Sequence, residues 1–190
     1  MSLPPRGTLR TLFRGIGLIA RGRAEGLNCF GHSPRAFIGS LLPGFGFMVA
    51  AVIEGLAEGR GMAAFASILS PLCALLAPPV LSYELARLWG REAFWYRYVV
   101  AFNWSRWLLL VLLLVMFFGV TLARRIGVMG PGGFRLFVSG LAIYALWLSW
   151  FVARHGLALS GGRAALLVAG VNIGTLLLVL GPGLLSGRPE

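Results

Sequence analysis

Arg106 stands in the run Phe102-Asn103-Trp104-Ser105-Arg106-Trp107, directly before the apolar stretch Leu108 to Val120. A guanidinium, an amide and indole N–H groups crowded at the mouth of a lipid-length segment can do one of two things. Inside a helix bundle they can hold an anionic ligand or pair with an acid such as Glu84, since intramembrane charge usually has a purpose. At a bilayer surface the arginine instead snorkels to the headgroups, while Trp104, Trp107, Tyr96 and Tyr98 form an aromatic belt. The apolar run begins immediately after Arg106, which favours the second reading.

Other groups with chemical potential are sparser. Asn172 lies within Gly170-Val-Asn-Ile-Gly174, a small-xxx-small pattern that lets helices approach and an amide bond across the contact. Cys29 and His32 give a lone Cys-x-x-His, too few firm ligands for a metal or haem. Glu54 and Glu58 share one side of a helix end without further ligands. Serines such as Ser67, Ser70 and Ser139 lack a positioned base, and no metalloprotease, nucleophile-elbow or phosphate-loop motif occurs. No catalytic, cofactor or metal residue is therefore assigned, and a non-enzymatic protein is expected.

The elements that position these groups are helices in lipid. The chain has 190 residues, 58 % hydrophobic and only 12 % charged, far more apolar than a water-soluble domain. Its net charge of +11 is all arginine, spread between apolar spans rather than gathered in a nucleic-acid stripe. Residues 1–33 read as a basic segment. Within it 8–21 form an amphipathic helix, with Leu9, Leu12, Phe13, Ile16, Ile19 and Ala20 in a sector of about 120°. Arg10, Arg14 and Arg21 lie opposite, placed for lipid headgroups. Gly15 and Gly17 weaken this helix in isolation. Arg14 interrupts its apolar stretch, so a signal peptide is not expected.

Residues 34–185 read as an all-α membrane bundle of five transmembrane helices, and 186–190 as a short tail. Ser33-Pro34 is a strong helix start. The spans are expected near 35–57, 62–83, 94–123, 134–152 and 162–185, with a glycine-rich turn at 127–133. Pro43-Gly44 and Pro78-Pro79 interrupt the first two. With the N-terminus in the cytoplasm, Arg6, Arg10, Arg14, Arg21, Arg23, Arg35, Arg87, Arg91, Arg97, Arg154 and Arg163 fall inside. Arg60, Arg124, Arg125, Arg135 and Arg188 fall outside. The excess inside predicts a cytoplasmic N-terminus and a periplasmic C-terminus in a bacterial inner membrane.

Three segments carry a likeness to known proteins: Phe30-Gly-His-Ser33-Pro34-Arg-Ala-Phe37, Val99-Val100-Ala-Phe102-Asn103-Trp104-Ser105, and Trp150-Phe151-Val152-Ala153-Arg154. On these the chain resembles small bacterial five-helix membrane proteins of the Yip1-like type, frequent in alphaproteobacteria. The resemblance implies a compact bundle with a cytoplasmic N-terminus, and no set activity. The expectation is an accessory or organising component that packs against membrane lipid, a larger membrane complex or copies of itself. The alternative is a small transporter or channel using the kinked first and second spans.

Overall fold

The computed structural model describes residues 9–61, 68–125, 127 and 131–185, with the backbone only at 131 and 181–185. It is all-α, with no strand among the described residues. A short helix α1 (Leu9–Ala20) and a 3-10 segment (Ala24–Cys29) precede five long helices. These are α2 (Pro34–Ala57), α3 (Leu69–Leu88), α4 (Trp95–Arg125), α5 (Pro131–Gly156) and α6 (Gly161–Leu185). All five are long and apolar enough to cross a membrane. The chain is a multi-pass membrane bundle.

Helix ends follow local chemistry. Ser33 caps α2, its hydroxyl accepting from the Ala36 N–H at 3.3 Å, with Pro34 in the first turn. Two boundaries differ from the expected ones. The described second span begins at Leu69 and runs on to Leu88, past Glu84 and Arg87, which stay exposed on its last turn. Residues 62–67 of the expected span lie outside the described residues. The expected turn at 127–133 is shorter, because Pro131 opens α5 and takes Gly132 and Gly133 into the helix. The tail at 186–190 also lies outside the described residues.

Helix α1 divides its surface three ways, where the sequence pattern suggested two. Thr11, Gly15 and Ile19 are buried against the protein, and Leu12 and Ile16 pack at the edge of the core. Leu9 and Phe13, from the same apolar sector, remain 71 % and 72 % exposed. Arg10, Arg14 and Arg21 form the third, exposed face. At about 100° per residue the three faces sit roughly 120° apart. Gly15 makes the buried face. A Cβ there would lie 2.8 Å from the Cys29 Cβ and 3.1 Å from the Gly26 carbonyl oxygen, so the residue expected to weaken α1 is the one that lets it dock.

The far end of α1 is also held. Gly22 adopts φ +71°, the Arg23 N–H bonds the Leu18 carbonyl, and the Tyr144 hydroxyl donates to the Ala20 carbonyl at 2.9 Å. Tyr144 thus ties α5 to the C-terminus of α1.

The core lies at the end of the bundle that carries α1. It joins Ile19, Leu27 and Phe30 to the first half of α4, the last turns of α5 and the first turns of α6. Gly156 closes this core, since a Cβ on it would fall 3.0 Å from the Tyr98 Cα. The left-handed position beyond α5 is held by Ala158, at φ +52°. The indole N–H of Trp150 donates to the Gly161 carbonyl at 2.9 Å and binds α5 to α6.

Candidate functional site

The site begins with a missing hydrogen-bond donor. Pro78 has no N–H, so the carbonyl of Ala74, one turn earlier in α3, loses its helical partner. Arg106 supplies the replacement, its Nη1 donating to that oxygen at 3.3 Å. The guanidinium also lies 5.9 Å from the Phe102 ring centroid.

One turn before the proline of α2, Ser40 gathers a second group of bonds. Its hydroxyl donates to the Phe37 carbonyl at 2.6 Å and accepts from Asn103 Nδ2 at 2.8 Å. The Trp107 indole N–H reaches the Ser40 carbonyl at 3.5 Å, and the Trp107 ring stacks on Phe47 with centroids 5.6 Å apart. Asn103, Arg106 and Trp107 are spaced three and four residues apart, so they share one face of α4. That face is bonded to α2 through Ser40 and to α3 through Ala74.

Between these contacts lies a cavity of about 490 Å³, bounded by α2, α3, α4 and α5. Ser40, Asn103 and Arg106 supply its polar end. Leu110, Leu113, Val138 and Leu141 line the rest. Asn103 and Ser40 are buried, whereas Arg106, Leu113 and Val138 are exposed, which leaves the cavity open at its side. A volume of this size falls in the usual range for small-molecule sites.

Glu84 is not part of this arrangement. It lies ten residues beyond Ala74 on α3, roughly 15 Å along the axis, and its carboxylate is 3.9 Å from Arg87. The pairing with Glu84 that the less favoured, buried reading of Arg106 offered is thus replaced by a backbone carbonyl. Trp104 is half-buried against the core and does not line the cavity. The expected aromatic belt divides as well. Tyr98 is buried in the core and stacks on Phe102 with centroids 5.5 Å apart, while Ser82 accepts from the Trp95 indole at 3.2 Å.

Asn172 departs from its expected role. Its Nδ2 donates to the Val168 carbonyl of its own helix at 2.7 Å, not across to a neighbour. Gly170 and Gly174 do face α3, where an added Cβ would meet Leu85 at 3.5 Å and Leu81 at 2.7 Å. Two residues from each glycine, Asn172 points about 200° away from that contact. His32 Nε2 lies 3.3 Å from the Leu27 carbonyl, and Cys29 packs on Gly15.

No protein-family model, curated protein or solved structure matches the chain.

Sequence reasoning found Asn103 and Arg106 but missed Ser40 and the Ala74 carbonyl. The available signals were a serine one turn ahead of Pro43 and a proline four residues after Ala74.

Proposed function

We propose that this protein is a non-enzymatic, multi-pass component of a bacterial inner membrane, which organises lipid or a larger membrane assembly around itself. The three-faced α1 is the observation that carries this reading. One face is docked on the bundle, one is bare apolar surface, and one is arginine. A helix of that kind suits the line where protein, acyl chains and headgroups meet. The interior polar groups fit a structural role too, because Ser40, Ser82, Asn103 and Trp95 spend their hydrogen bonds on one another and on helix backbone.

In this reading the N-terminus is cytoplasmic and the C-terminus periplasmic, in line with the arginine distribution and the Yip1-like likeness. Reversing Arg10, Arg14 and Arg21 to glutamate should weaken association with anionic membranes or with co-purifying subunits by about tenfold or more. Pull-down and liposome flotation read this directly, and unchanged association would defeat the proposal. A C-terminal reporter fusion tests the orientation.

A second reading, a small transporter, is favoured by the position of the cavity beside Pro43 and Pro78, through which α2 and α3 run on as unbroken helices. Arg106→Gln and Pro43→Ala should then change solute flux into proteoliposomes. Flux equal to that of empty liposomes for every tested ion and metabolite would remove this reading.

A further inference from the structure

The cavity has the order of groups found in a lipid. Its polar end holds a guanidinium that bonds the Ala74 carbonyl through one N–H, with no further acceptor for its donor fork among the described residues. The ion pairs among the described residues are Arg60 with Glu58 and Arg87 with Glu84, so no carboxylate there neutralises Arg106. Beyond Arg106 the apolar wall continues along α4 to Leu113, a further 10 Å or so.

That direction is set by the helix itself. From Trp107 to Ala123 the sequence is apolar, a rise of about 25 Å that matches most of a hydrocarbon core, and it ends at Arg124 and Arg125. Arg106 therefore stands at one edge of the apolar layer, and Leu113 lies within it. Leu113 and Val138 are exposed on the side of the cavity, so an acyl chain can enter laterally.

We propose that this cavity is a binding site for one anionic phospholipid of the surrounding bilayer. Arg106 receives the phosphate through its remaining N–H groups, in the paired geometry guanidinium favours. Asn103, held by Ser40, forms the polar floor, and one acyl chain lies along Leu110, Leu113, Val138 and Leu141. This site does not depend on which partner the protein associates with elsewhere.

Native mass spectrometry of the full chain, released from nanodiscs containing phosphatidylglycerol or phosphatidylcholine, tests this. The wild type should retain one phosphatidylglycerol and little phosphatidylcholine. Arg106→Gln should reduce the retained phosphatidylglycerol about tenfold, as should Leu113→Trp, which fills the chain-binding part and leaves the Ala74 contact intact. Arg14→Gln, on the exposed face of α1, should not. Equal retention by the wild type and both cavity variants would overturn the proposal. So would displacement of the lipid by soluble glycerol phosphate at matched concentration, which would make the site one for a free anion.

Discussion

The two halves of α4 have different solvents. Before Arg106, Trp95, Tyr98, Val99, Val100, Ala101, Asn103 and Ser105 are buried, but after it only Val120 is. The first half is enclosed by α1, α2, α5 and the end of α3, with indole, amide and hydroxyl groups bonded to neighbours. The second half offers leucine, valine and phenylalanine to its surroundings, with Phe118 69 % exposed. Lipid is as apolar as those side chains, so nothing drives them together there. Packing concentrates where polar partners and close-fitting small residues make specific contacts.

The largest test of that contrast sets one aromatic ring against another. Tyr98→Ala should cost about 3–5 kcal/mol, by loss of buried volume and of the ring contact with Phe102. Phe118→Ala, on the bare half, should stay within about 0.5 kcal/mol. Thermal unfolding in the same detergent compares them, and similar losses would erase the distinction between the halves.

A smaller effect is expected at the junction. Ser40→Ala should cost about 1–2 kcal/mol by leaving the Asn103 amide buried without its acceptor. Asn103→Ala in that background should add little more. Full additivity in the double-mutant cycle would mean that the two side chains act separately.

The smallest change should be a gain. Ala158 holds a left-handed backbone that glycine adopts without steric cost, so Ala158→Gly should stabilise the packed end by about 0.5–1 kcal/mol. A lower midpoint would show that the Ala158 side chain contributes more than its backbone strain costs.

The fold was legible where periodicity and capping agree. Five apolar stretches became five helices, and Ser33-Pro34 starts α2. Boundaries were harder, because hydropathy marks where lipid ends rather than where a helix stops. Glu84 and Arg87 remain helical on α3, while Arg154 and His155 extend α5 by a favourable last turn. The site was half visible. Asn103 and Arg106 stand out by residue type, but the acceptor at Ala74 is a backbone oxygen, present at every position, and its selection depends on the register between α3 and α4. The division of α1 into three faces was hidden for a similar reason, since hydrophobicity does not tell a side chain facing protein from one facing acyl chains.

The grip of Tyr144 on the Ala20 carbonyl has a mechanical consequence. On the proposed placement of α1 at the headgroups, this bond and the docked face of α1 together seat the bundle from one leaflet, as a flange seats a pipe. At the opposite end an apolar void of about 260 Å³ separates α4 from α5 around Phe117, Val120 and Phe134. A change in bilayer thickness would then be absorbed there, by tilt and closure of the gap, while the end carrying α1 keeps its level.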